Sequence, residues 1–450
     1  MYNRILNIGV AAVLTVGATS LAAAQTHPAR SAAPFWQEIG DSALTRLVVE
    51  ALRNNPTVRI AEARLEGARS SRRLAAFDLA PTVTANGSAL RSQQSMAQVP
   101  GLTSQLPRRD LYDVGFDAAW ELDLFGRTRK NVGAYGALVE SSEHSVDDVQ
   151  LSLAAEVARS YFELRGAQRQ LAVALRNAEV QRKTVGLTRD RLAAGRGTAF
   201  DVERAQSVLQ LTLAAVPGVQ SQITTGRYRI AVLLGRTPDS LPELSADGPT
   251  PHLPDSVTIG STREVVKQRP DVLAAERQLA AQTLSVGASQ AEYLPRFSLA
   301  ASAGYTANRI ESLTRTGTSR VLVGPVVSFP LLDLGRVRQR VGVAEARQSE
   351  AQSQYTATVL RAVEETESAV VAYDRAHERV GILAEAVKSS TRAADLAQQR
   401  FEAGLTDFLQ VLDAQRTLLD AENQLATAHT AAATALVALY KATGGTWTTR

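Results

Sequence analysis

Residues 336–400 read RVRQRVGVAEARQSEAQSQYTATVLRAVEETESAVVAYDRAHERVGILAEAVKSSTRAADLAQQR, inside a stretch from Leu331 to Arg450 that contains no proline. Ala, Glu, Gln, Arg and Leu dominate it, a composition that favours helix. The first plausible break is Phe401-Glu402-Ala403-Gly404. An unbroken helix of about 65 residues rises roughly 100 Å, several times what one globular core needs. Val359, Val363, Thr366, Val370, Tyr373, Val380, Ala384, Val387, Thr391 and Ala394 step by four and three, the heptad spacing of a coiled-coil seam, with His377 as the one gap. The reading is a long helical hairpin that turns at Gly404 and returns through Phe408, Leu412 and Leu419 toward Tyr440.

A chain of 450 residues could hold one large core or two or three domains. Its 49 basic and 45 acidic residues leave a formal charge of +4 with no basic block, which gives nucleic acid no footprint. The absence of cysteine removes disulfides, thiol chemistry, Cys-type zinc sites and a lipid-modified N-terminal Cys. Arg4 precedes the apolar run Ile5 to Leu21, and Ala22-Ala23-Ala24 supplies small residues for cleavage, so residues 1–24 read as a secretory signal. The alternative is an uncleaved anchor. No other stretch is apolar enough for a transmembrane helix, so membrane residence would have to use strands.

Residues 25–40, with Pro28 and Pro34, read as a linker. Repeat 1 spans 41–240. It opens with a short helix that begins at Asp41-Ser42 and ends at Asn54-Asn55-Pro56, followed by a charged helix that runs to Ala80-Pro81. The period then changes to two, predicting strands near 82–90 and 111–123. In the second strand Tyr112, Val114, Phe116, Ala118, Trp120 and Leu122 fall on one face, and Asp113, Gly115, Asp117, Ala119, Glu121 and Asp123 on the other. About ten residues of that pattern suit a transmembrane strand, although a soluble half-buried strand has the same alternation. Long helices are predicted near 127–192 and 199–234, turning at Gly195-Arg196-Gly197. Prolines 238, 242, 249, 251 and 254 mark a linker over 241–262.

The plan then restarts as repeat 2, over 263–443, before a tail at 444–450. Pro56 and Pro270 differ by 214, as do Glu62 and Glu276, Leu65 and Leu279, and Pro81 and Pro295. Farther on, Gly126 and Gly335 differ by 209, as do Glu156 and Glu365, Arg191 and Arg400, Gly195 and Gly404, and Gln206 and Gln415. The length lost falls across the strands and their loop, whereas the long helices keep register. Repeat 2 is predicted to hold strands near 296–305 and 320–330, the latter containing Pro325, which suits an edge or bulge. Its helices are predicted near 336–400 and 406–440. Four strands cannot close a membrane barrel, so membranous strands require oligomers: two copies give about eight strands and three about twelve.

Three features carry a resemblance over nearly the whole mature chain: the doubled plan, the strand-exit phrases WELDLFGR and FPLLDLGR, and the turn phrases RLAAGRGTAFDVERAQ and RFEAGLTDFLQVLDAQ. With them the chain resembles TolC-like outer-membrane efflux proteins. Its phrase PFWQEIGDSALTRLVVEALRNNPTVRIAEARLE is similar to the OprM/NodT-type branch that works with RND-type drug pumps. The resemblance implies a mainly α protein with membrane β-strands: a homotrimer with a twelve-strand barrel in outer-membrane lipid and a helical periplasmic tunnel. Its tips would meet a periplasmic membrane-fusion adaptor and, through it, an inner-membrane pump. Many members of the branch carry a lipidated Cys after the signal; this chain has none.

The resemblance also implies that the two turns are the functional sites. By matching phrases, Asp201 falls where a carboxylate helps hold the closed tip, Asp413 where carboxylates ring the aperture, and Phe401 where an aromatic closes it. Thr406 stands where some members have an arginine and Gln410 where some have another acid, so a hydrogen-bonded or hydrophobic constriction competes with a salt-bridge lock. Gly195, Arg196, Thr198, Gly404 and Leu405 become candidate adaptor contacts. A carboxylate ring at Asp413 would favour cations; ordinary helix-end acids are the plainer account of Asp201 and Asp413. Trp120 suits a membrane-interface belt, whereas Trp36 and Trp447 suit packing.

The five histidines form no close metal spacing, and no GxSxG, HExxH or phosphate-loop motif occurs. No cofactor, enzyme activity or ATP binding is expected. The leading expectation is a passive outer-membrane exit duct for drugs and other small toxic compounds. A type I protein-secretion duct is the same-fold alternative, and a periplasmic coiled-coil scaffold without a pore the alternative of another class.

Overall fold

A computed structural model describes residues 36, 40–95, 104–105, 107–240, 244, 254, 257–258, 261–445 and 448–449. The expected signal over 1–24, most of both linkers and Trp447 lie outside the described residues.

Two short helices come first. Helix α1 (Ser42–Asn54) is N-capped by Asp41, whose carboxylate accepts from the amides of Ala43 and Leu44. Helix α2 (Pro56–Phe77) starts on Asn55, with Pro56 where a missing N–H does no harm. Strands β1 (Thr82–Ser92) and β2 (Arg109–Leu122) follow, then the long helices α3 (Arg127–Ala193) and α4 (Ala199–Leu233). The middle linker carries the clip strand β3 (Val257–Thr258), and the one-turn-plus α5 (Thr262–Gln268) and α6 (Pro270–Gln290) open repeat 2. Strands β4 (Arg296–Ala307) and β5 (Ser319–Ser328), and helices α7 (Leu334–Glu402) and α8 (Phe408–Ala442), complete it, with β6 (Thr448–Thr449) pairing back onto β3.

Helices α3 and α7 contain 67 and 69 residues, each about 100 Å of rise. The other helices lie along them in two tiers. Beside the strands, α2 packs on α3, α3 on α6 and α6 on α7; beyond the midpoint, α4 packs on α3, α3 on α8 and α8 on α7. Each tier is therefore an open layer of four helices. Between tiers, helices meet end to end through a shared joint. The Asn55 side chain donates to the Leu233 carbonyl at 2.8 Å, tying α4 to α2, and Arg269 donates to the Ala442 carbonyl at 3.2 Å, tying α8 to α6. Positions 55 and 269 are the repeat pair of the first register, and 233 and 442 that of the second.

The seam of α7 differs from its heptad expectation. Of the expected positions Thr366, Tyr373 and Ala394 are buried, with Ala362 and Ala369 buried between the seam positions, while Val363 is 38 % exposed and Ala384 and Thr391 face outward. Small alanines bring the helices close, and α7 borders its layer, so much of its apolar stripe is uncovered within one chain. Where α3 crosses α8, Gly166 makes contact possible: a Cβ there would stand 2.1 Å from the Thr430 hydroxyl. At the midpoint Trp36 and Tyr440 lie 4.8 Å apart, and Tyr161 donates to Asp41 at 2.7 Å, within a core shared by both repeats.

The sheet runs β1-β2-β4-β5, antiparallel throughout, with β1 and β5 as edges. Register places Val83 and Ala85 beside Ala118 and Phe116, then Ala301 and Ala303, then Val323 and Val321. One side is consequently apolar across all four strands, and it is bare: Phe116 is 62 % and Val321 76 % exposed. Pro325 lies in edge strand β5, where its missing N–H breaks no pairing inside the chain. Among the described residues, no helix is long and apolar enough to cross a membrane.

Candidate functional site: the helix tips and the polar bore

The two turns of the long hairpins are built alike. After α3 the chain enters Gly195 at φ +69°, the Arg196 amide returns to the Arg191 carbonyl at 2.8 Å, and Thr198 caps α4. After α7 it enters Gly404 at φ +73°, the Leu405 amide returns to the Arg400 carbonyl at 2.8 Å, and Asp407 caps α8. Both are left-handed glycine stops, needed because L side chains resist that backbone.

The predicted site residues divide by environment. Asp201 is engaged locally, its carboxylate accepting from the Thr198 hydroxyl at 2.6 Å and amide at 3.2 Å in a capping box. Asp413 lies one turn farther from its own cap and is exposed. Phe401 is buried against Phe408, ring centroids 5.5 Å apart, in a cluster with Val185, Leu209 and Val411. Thr406 donates to Gln410 at 2.5 Å, so the two departures from the family pattern bond to each other. Gly195, Arg196, Thr198, Gly404 and Leu405 are exposed, and Leu405 (70 %) and Phe200 (68 %) present apolar surface.

Sequence reading missed two tip residues. Arg191 lies over the Phe401 ring and bonds its carbonyl, and Asp407 receives the Gln410 amide at 3.1 Å. The second was accessible: the register of 209 carries Thr198 onto Asp407 and Asp201 onto Gln410. The first required knowing that α3 and α7 end side by side.

At the other end, the sheet's second side is polar. Arg320 of β5 spans β4 to reach Asp113 of β2 at 2.7 and 2.9 Å, passing Gly304, which has no side chain to obstruct it. Thr306 donates to the same carboxylate at 2.6 Å, and Asn86 donates to Asp117 at 2.5 Å. Asp113, Asp117 and Arg320 thus lie on the opposite side from the apolar face, while Arg91 and Asp110 pair at the far end of the apolar side; the strand bearing Trp120 anchors it by an indole bond to the Leu79 carbonyl at 2.9 Å.

A sheet apolar on one side, polar on the other and continued by helices of this length defines a TolC-like channel subunit. The chain belongs to the outer membrane efflux protein family, whose model matches residues 47–236 and again 262–445, once per repeat. It is 30 % identical over 461 residues to outer membrane protein OprJ of Pseudomonas aeruginosa, covering 98 % of this chain and 96 % of the relative. It is 29 % identical to the solvent efflux pump outer membrane protein SrpC of Pseudomonas putida, over 90 % of this chain and 86 % of that one. The solved outer-membrane channel OprN superposes with a TM-score of 0.86 at 39 % identity, covering 92 % of both chains. The protein is thus an outer-membrane efflux channel whose helices reach into the periplasm, in a family of ducts rather than enzymes.

Proposed function

We propose that three copies of this chain close into one passive exit duct for small toxic compounds, coupled through a periplasmic adaptor to an RND-type inner-membrane pump. The observation that carries this is the placement of the open edges. Strand β1 and helices α2 and α4, all from repeat 1, border one side of every layer; β5 and α7, from repeat 2, border the other. Unlike edges meeting head to tail generate a ring, and edge strands in lipid must be paired. Three copies give about twelve strands, enough for a water-filled bore, whereas two give about eight, whose interior side chains fill. In this reading the driving energy comes from the pump.

At the tips, exposed Leu405, Phe200 and Arg196 form the surface offered to the adaptor, and Asp413 the carboxylate ring at the aperture. Outer-membrane fractionation, a heat-modifiable trimer band and planar-bilayer conductance test the duct. A soluble, non-conducting product sinks it and leaves the scaffold. Deletion separates the two ducts: lost protein secretion with unchanged drug tolerance would favour the type I system. Asp413→Asn is expected to weaken cation preference in single-channel recordings, and unchanged selectivity removes Asp413 from the pore lining.

A further inference from the structure

A groove of about 520 Å³ lies just below the strands, with α6 as floor and α3 and α7 as walls. Its side can be read from ion pairs. Glu121, on the polar side of β2, pairs with Arg127 at 2.7 Å, and Asn131, Tyr135 and Leu138 continue that stripe of α3 by steps of four, four and three. In repeat 2, Arg296 approaches Glu292 at 3.9 Å, and Glu292 also takes Arg340 at 2.7 Å; Val343 and Arg347 continue that stripe of α7. Both walls therefore open on the side of the sheet's polar face, which in the closed duct is the bore.

The lining combines two chemistries. Tyr135, Leu138 and Val343 offer apolar surface, and the floor offers Gln282 and Ser285 as neutral hydrogen-bonding groups. Arg340 is held by Glu292, but Arg347, exposed at the rim, has no ion pair or hydrogen bond among the described residues. A guanidinium beside an aromatic and aliphatic wall matches a flat organic anion: the ring lies against Tyr135 and Leu138 while the acid takes two N–H donors. We propose that this groove is a binding subsite of the duct wall for aromatic monoanions, carboxylates or sulfonates, with Arg347 as the residue that reads the charge. The assignment of the groove to the bore rests on the duct reading; the binding itself does not.

Calorimetric titration of the full chain in nanodiscs with naphthalene-2-sulfonate tests it. Wild type is expected to bind, Arg347→Gln at least about tenfold more weakly, the size of one lost charge-assisted hydrogen bond. Uncharged 2-naphthol should bind at least about tenfold more weakly than the sulfonate for the same reason. Arg375→Gln, a remote exposed arginine on the same helix, should leave affinity unchanged. Equal affinity of wild type and Arg347→Gln, or equal binding of the sulfonate and the naphthol, overturns the subsite. Conductance of the same preparations reports the duct separately: a conducting channel that ignores the sulfonate refutes only the subsite, and binding without conductance refutes only its place in a bore.

Discussion

The Arg191 guanidinium lies 4.1 Å from the centroid of the Phe401 ring and donates to the Phe401 carbonyl at 3.0 Å, joining the end of repeat 1's long helix to the end of repeat 2's. A cation over an aromatic face contributes about 0.5–2 kcal/mol and a charged hydrogen bond about 1.5–3 kcal/mol. Arg191→Ala is therefore expected to loosen the tip by about 2 kcal/mol. Amide exchange over residues 395–410 should speed up, and Arg191→Lys should recover only part of the protection. Unchanged exchange would show that the apolar cluster alone holds the tips.

The joint of repeat 2 is ionic where that of repeat 1 is neutral. Arg269, 5 % exposed, bonds Asp271 at 2.8 Å and Glu365 at 2.7 Å besides the Ala442 carbonyl. Replacing it by Asn, the repeat 1 residue, removes the charged partner of two solvent-accessible acids and is expected to destabilise by about 2 kcal/mol. Burial, with Asp271 nearby, raises the Asp148 carboxyl above its ordinary range, so it takes up a proton before an unperturbed carboxylate does as pH falls. The thermal-melt deficit of Arg269→Asn should accordingly be larger at neutral than at acidic pH. A deficit independent of pH would make the joint a matter of packing.

Leu322 and Val323 are chain neighbours on opposite sides of β5: Leu322 opposes Ser302, and Val323 opposes Ala301. Val323→Arg places a charge in lipid and is expected to cost about 2–4 kcal/mol per subunit and abolish the folded trimer band. Leu322→Arg faces water in the bore and should preserve assembly. Equal damage from both would argue against a membrane barrel.

Gly166 has no room for a methyl group, since a Cβ would meet three atoms of Thr430 at 2.1, 2.9 and 3.0 Å. Gly166→Ala is expected to destabilise by about 1–3 kcal/mol. Adding Thr430→Ala should restore most of it in denaturation experiments, and a simple sum of the two losses would place the strain elsewhere.

Burial, with Arg169 close by, lowers the His429 imidazole below its ordinary value. The unfolded chain then binds the extra proton first, so stability is complete above the ordinary histidine range and is lost as pH falls through the folded value. His429→Gln should flatten that part of the stability profile measured by chemical denaturation. An unaltered acid limb would assign it to other groups.

Much of the fold was legible because helices and strands leave periodic marks on a linear chain. The helix α3 expected near 127–192 spans Arg127–Ala193, and β4, expected near 296–305, spans Arg296–Ala307. The tips were legible as turns, since Gly195 and Gly404 interrupt otherwise continuous patterns. Their contacts were not: Arg191 meets Phe401 across 210 residues, a separation over which local periodicity carries no information.

The amino-acid order by itself determined the doubled plan, the length of the helices and which side of each strand is apolar, because these follow from repeat spacing and local periods of 3.6 and 2. Only the tertiary structure decided which helices neighbour one another in each tier, how Asn55 and Arg269 came to hold equivalent joints in the two repeats, and that Arg191 meets Phe401 at the tips. Those outcomes depend on distances between segments far apart in the chain, set by how side chains such as Gly166 and Thr430 let whole helices approach.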